Sequence, residues 1–204
     1  MKAIKFLSVA CCIAAVSLTS CLSDSDSSDN SLTKADIAQC FAAVQGNHVG
    51  KLIYPAKNIK DVKDVTDTLD ITWSVKTDST MTIYDFPTRL LAINVDSVKG
   101  KDMKDAIMAL PDQDLTCRIG FVSMNPIQFL INPVTPKFTV KMGDGNHDIQ
   151  PAFYGNNLYS YGSYDYTKKE FYMQIIEGAI FLDGKETAYL TSATPFAFIE
   201  TQKK

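Results

Sequence analysis

The stretch Asp70-Ile71-Thr72-Trp73-Ser74-Val75-Lys76-Thr77-Asp78-Ser79-Thr80-Met81-Thr82-Ile83 decides how the chain is read. Ile71, Trp73 and Val75 alternate with Thr72, Ser74 and Lys76, the period of two that a half-buried strand requires. Thr77-Asp78-Ser79 has turn chemistry, and Met81 and Ile83 carry the alternation back. The spacing predicts a β-hairpin with Trp73 on its core side, the alternative for Trp73 being a ligand platform.

Working outward, the same signals recur. Before the hairpin, Gly46 to Tyr54 reads as a strand, and Pro55 with the charged stretch Lys57 to Asp67 reads as a long connection. After it, strands are expected at Arg89–Val95, Leu115–Val122, Ile127–Asn132, Lys137–Met142, Ile149–Tyr154, Leu158–Tyr166, Phe171–Glu177, Ala179–Leu182 and Glu186–Glu200. In Lys137–Met142, Lys137, Thr139 and Lys141 face out while Phe138, Val140 and Met142 face in. Only two helices are expected. Thr33 and Asp36 have capping-box spacing ahead of Ile37, Cys40, Phe41 and Val44, with Gly46 as the stop. Met103, Ile107 and Leu110 give Gly100–Leu110 one apolar face, and Pro111 ends it. About ten short strands with tight turns, and no alternation of strands with long helices, predict a mainly β domain: an antiparallel barrel or a β-sandwich.

The first twenty residues read as an export signal. Lys2 and Lys5 open it, and Phe6 to Leu18 is an apolar run broken only by serines. That run is too short for the ~20 apolar residues of a bilayer span. Leu18-Thr19-Ser20-Cys21 then resembles the bacterial lipobox, which implies cleavage before Cys21 and lipidation of its thiol and freed amine. Acyl chains such as palmitate each add about 0.8 kcal/mol per buried methylene, so several of them anchor stably. Leu22 to Ser31 is polar, acidic and free of aromatics, the composition of a flexible tether. The expected layout is therefore a signal peptide at 1–20, lipidated Cys21 and its tether at 21–31, and one β-rich domain at 32–204.

Without the signal the chain has 184 residues, and its formal charge moves from −3 to −5 because two lysines and no acid leave with it. Mild acidity argues against nucleic acid as a partner. Cys11 and Cys12 go with the signal, leaving Cys40 and Cys117 on apolar faces. Two buried free thiols are the favoured reading, and a disulfide between them the alternative.

The order lipobox, acidic tether, short helix and Gly46-Asn47-His48-Val49-Gly50-Lys51-Leu52 resembles small Bacteroidetes-type lipoproteins of unknown function. Asp85-Phe86-Pro87 ahead of an apolar segment adds to that resemblance. It implies an outer-membrane location, the acidic stretch matching lipoproteins sent to the cell surface, and no established activity. A helix followed by Gly-x-aromatic is also similar to the opening of lipocalin-like barrels, with His48 where that pattern has Trp or Tyr. A lipocalin-like fold implies a cup for an apolar or small ligand.

Candidate sites are few. Asp144, Asn146 and Asp148 have the first spacings of a calcium loop, yet Ile149 stands at position six and Gly155 at position twelve. A hairpin turn explains the same residues. Tyr154, Tyr159, Tyr161, Tyr164 and Tyr166 cluster, with Tyr159 and Tyr161 on one face at period two. They form either a sugar-stacking platform or the half-buried aromatic face of a sheet. His48 and His147 lack zinc-motif spacing, Asp112 and Asp114 read as a solvated turn, and no nucleophile or phosphate-loop motif occurs. The expectation is a lipid-anchored envelope protein without enzymatic activity or cofactor, binding a small apolar or glycan ligand through Tyr159, Tyr161, Tyr164 or Trp73. The alternative is a structural lipoprotein whose partner is another envelope protein.

Overall fold

In the hairpin quoted above, β2 (Thr66–Thr77) and β3 (Thr80–Phe86) run antiparallel, with Trp73 opposite Ile83 and Val75 opposite Met81. The computed structural model describes residues 31–56, 66–143, 145–155 and 159–201. The signal segment, Cys21, the stretch from Leu22 to Asn30, most of the Lys57–Asp67 connection and Asp144 lie outside the described residues. The described part belongs to one compact unit, Ser31–Lys204.

Helix α1 (Lys34–Val44) opens the unit with the expected capping box. Thr33 Oγ1 accepts from the Asp36 backbone N–H, and Asp36 accepts from that of Thr33. Next come β1 (Gly46–Pro55), β2, β3, a 3₁₀ turn (Thr88–Ala92) and α2 (Lys101–Met108). β4 (Gln113–Met124), β5 (Ile127–Pro133), β6 (Phe138–Met142), β7 (Gly145–Phe153), β8 (Tyr161–Asp165), β9 (Glu170–Leu182), β10 (Lys185–Glu186) and β11 (Thr194–Glu200) follow. Every pairing is antiparallel. The order β11-β1-β2-β3-β4-β5-β8-β9 returns to β11 through the β9–β11 pair. This ring is a closed eight-stranded barrel, which settles barrel against sandwich. Beyond Glu177, β9 leaves the ring and pairs with β7 and β10, and β6 extends β7 outward. Among the described residues no helix is long and apolar enough to cross a membrane.

An eight-stranded barrel is just wide enough for its own side chains to fill, and this one is filled. Leu52, Trp73, Met81, Phe129, Phe171, Phe196 and Phe198 are all fully buried. Phe171 sits 5.7 Å from Trp73 and 5.9 Å from Phe129, ring centre to ring centre, so the aromatics form one continuous column. Each large side chain removed from water contributes about 1.5–3 kcal/mol. Gly162 makes room for the column, because a Cβ there would collide with the Phe129 ring. Cys40 and Cys117 are buried free thiols, and burial holds the Cys117 thiol far above its ordinary value.

Four expected strands are corrected. Arg89–Val95 is not extended. Thr88, Leu91, Ala92 and Val95 are buried at i, i+3, i+4 and i+7, a helical spacing inside an apolar run that alternation cannot resolve. Phe171–Glu177 and Ala179–Leu182 are one strand, β9, because Gly178 does not interrupt it. Its bare backbone lies under the Tyr154 ring, beside the irregular register between β7 and β9. Glu186–Glu200 is not one strand. Between β10 and β11 its backbone bonds the loop after the 3₁₀ turn, through Asp96 N to Tyr189 O and Thr191 N to Asn94 O.

Candidate functional site

Three places concentrate polar chemistry, and the outer wall of the barrel is the most open of them. Along β9, Phe171, Met173 and Ile175 point inward, so Tyr172, Gln174 and Ile176 point outward. Tyr161 on β8 stands opposite Gln174, and Leu130 on β5 stands opposite Tyr161. Gln174 ties the surface together: its Nε2 donates to Tyr159 O at 3.1 Å, and its Oε1 accepts from the Tyr172 hydroxyl at 3.2 Å. Tyr161 and Tyr172 are 5.9 Å apart, tilted by 49°. Tyr154 and Tyr159 are 4.9 Å apart, tilted by 38°, and are 40% and 43% exposed. Gln128, Ser163 and exposed Asn132 border the tyrosines. The result is a surface of phenol rings and amides without a formal charge on it.

The expected tyrosine set is therefore divided. Tyr159 lies ahead of β8 and packs on Tyr154, while Tyr161 packs on Tyr172. Tyr164 turns to the other end of the barrel, where it lines a polar cleft. Trp73 is fully buried in the column. Tyr154 and Tyr172 complete the wall and were not among the expected ligand residues. Tyr172 was legible from its alternation with Phe171 and Met173. Tyr154 belonged to the expected cluster, but its seat over Gly178, twenty-four positions on, was not legible.

The second place is that polar cleft, about 60 Å³, lined by Ala43, Gln45, His48, Tyr164, Lys169 and Glu200. His48 is 5% exposed and stacks on Trp73 at 5.6 Å. Its Nε2–H donates to the Val44 carbonyl at 2.9 Å, and its Nδ1 lies 2.8 Å from Glu200 Oε1. Both ring nitrogens are thus used internally, which leaves neither to act as a general base. The pair instead fastens the last turn of α1 to the barrel. This cleft and a recess of about 10 Å³ beside Phe86 and Phe153 are far below the ~300–1,000 Å³ of small-molecule pockets.

The third place is Glu177, at the end of the inward row of β9 and fully buried. Burial pushes its carboxyl well above the ordinary range, and the facing Thr194 hydroxyl opposes this only weakly. Among the described residues neither carboxyl oxygen has a hydrogen bond of good geometry, that hydroxyl included. The cause of the upward shift is that burial penalises the charged form of a carboxyl that has no ionic partner.

At the expected calcium loop, Asn146 and Asp148 lie on β7. Lys137 Nζ sits 2.7 Å from one Asp148 oxygen, and Thr139 donates to the other at 2.8 Å. Those bonds hold the Asp148 carboxyl low. His147 Nδ1 lies 2.8 Å from Asp183. Among the described residues no three His, Cys, Asp or Glu side chains converge on a common point.

A family described as a domain of unknown function (DUF4840) matches residues 43–182. No curated protein and no solved structure matches the chain.

Proposed function

We propose, from the premise that this chain belongs to the DUF4840 family, a non-catalytic function: a lipid-anchored outer-membrane protein that binds glycan on its outer barrel wall. The observation that carries the reading is the charge-free surface of Tyr154, Tyr159, Tyr161, Tyr172 and Gln174. Phenol rings stack on the apolar faces of sugars, and neighbouring amides pair with hydroxyls. The filled lumen removes the cup in which a small apolar ligand would sit. The Leu18–Cys21 lipobox and the acidic residues after it support export, anchoring and display at the cell surface.

Two measurements test this. On an array of neutral oligosaccharides, the Tyr159→Ala, Tyr161→Ala double variant should lose at least tenfold in apparent affinity, and unchanged binding rejects the wall. Cys21→Ser should move the protein out of detergent-soluble envelope material, and continued co-fractionation with that material rejects the anchor. A second reading, docking of another envelope protein, is favoured by half-buried Ile53 and 43%-exposed Ile199 on the adjoining part of the wall. Cross-linking to an envelope protein that Ile199→Lys abolishes, with sugar binding intact, would support it.

A further inference from the structure

We propose that the wall takes the interior of an extended, neutral polysaccharide chain, laid across the strands, and does not read a chain terminus. The inference rests on the glycan reading and specifies its substrate. One row of cross-strand partners, Gly120, Leu130, Tyr161 and Gln174, crosses four strands in succession and ends at buried Ala197 on the next. At a strand spacing of about 4.8 Å that row is about 14 Å long, enough for consecutive sugar rings.

The row is open where a terminus reader would be closed. Gly120 has no side chain, and no heavy atom lies within 4 Å of where a Cβ would stand. The path from Tyr161 over Leu130 therefore runs on into open space. Reading a chain end needs a concave wall against which the terminal hydroxyls register. The recesses described above lie elsewhere: one at the His48 end of the barrel, the other beside Phe86 and Phe153. The wall is the convex outside of a barrel, so contact is made by ring faces in series. Each stack contributes modestly, and affinity accumulates with the number of rings engaged.

Charge selects the substrate class. No residue of the row carries a charge at neutral pH, and its partners Tyr159, Tyr172, Asn132 and Gln128 add only phenols and amides. Charges such as Arg118 and Lys51 stand on flanking rows, beside Asn132 and Ile199. A polyanion would leave its carboxylates facing uncharged amides after losing water, a cost without a compensating ion pair.

The test is isothermal titration of the full chain in detergent micelles. The probes are unbranched neutral gluco-, manno- and xylo-oligosaccharides of two to eight units, with polygalacturonate as the anionic control. Expected is at least a tenfold gain in affinity from two to six units for one neutral series, unaffected by capping the reducing end. Gly120→Glu should remove most of that gain while leaving the disaccharide unchanged, and Tyr159→Phe, Tyr161→Phe should keep it. Affinity independent of length, loss on end-capping, or preference for polygalacturonate overturns this inference and leaves the glycan reading standing. Absence of heat with every probe overturns both.

Discussion

Glu177 shows at the scale of one residue how burial sets a pH response. Its carboxyl holds its proton to higher pH in the folded barrel than in the unfolded chain, where it ionises near the ordinary value of 4.5. Above that value the unfolded state binds fewer protons than the folded one, so Glu177 lowers stability as pH rises toward its raised folded value. Glu177→Gln keeps the shape without the ionisation. Thermal melts should show the variant gaining over the parent at pH 8 and matching it near pH 4, and a gain equal at both would refute the account. The residue was legible, standing two positions beyond Ile175 on a row with Phe171 and Met173. Its missing partner was not, because that depends on what Thr194 and its neighbours offer across the seam. Gly162 makes a second case. Gly162→Ala forces a methyl into the Phe129 ring and should cost about 1–3 kcal/mol by overpacking. Urea titration of Gly162→Ala with Phe129→Leu should show a double variant less damaged than the sum, and additivity would mean the two do not touch.

Among the elements, α1 is seated by buried Cys40 and Val44 and has its last turn fastened by a buried polar pair. His48 bonds the Val44 carbonyl at the helix end and holds Glu200, whose side chain is 8% exposed. His48→Phe leaves that carboxylate buried without its partner, which should cost about 3–5 kcal/mol. His48→Phe with Glu200→Leu removes both ends and should cost clearly less in the same denaturation assay. A double variant as unstable as the sum would show that the pair is not coupled. Sequence could place α1, because Thr33 and Asp36 act within four residues. It could not reveal the fastening, since His48 and Glu200 are 152 positions apart. The other misread elements have the same kind of cause. The 3₁₀ turn hides in a run where every neighbour is apolar, and Gly178 resembles a break until the Tyr154 ring is laid over it.

For the whole molecule, closure depends on β11. This strand pairs with β1 from Ala197 to Glu200 and with β9 from Thr194 to Ile199, and it brings Phe196 and Phe198 into the lumen. Removing residues 194–201 exposes two strand edges and deletes two core aromatics, each contributing about 1.5–3 kcal/mol. Domains of this kind are stable by only about 5–15 kcal/mol. The truncated chain should lose its cooperative melt and bind a hydrophobic dye, and a sharp transition would show that closure is dispensable. Alternation along each strand was legible in the sequence, but it describes one strand at a time. Whether the last strand also meets β1 and closes the ring, or ends a separate layer, is decided by pairings more than a hundred residues apart, which left barrel and sandwich open. The β1–β11 seam also has a mechanical direction. Gly50 faces Glu200 and Ile53 faces Ala197, and Thr201 N–H reaches the Val49 carbonyl at 3.0 Å. The start of one strand thus sits beside the finish of the other. A pull that separates those two ends strains the rungs singly and in sequence, as in a zip, so the ring should yield there at low force while its remaining strands stay joined.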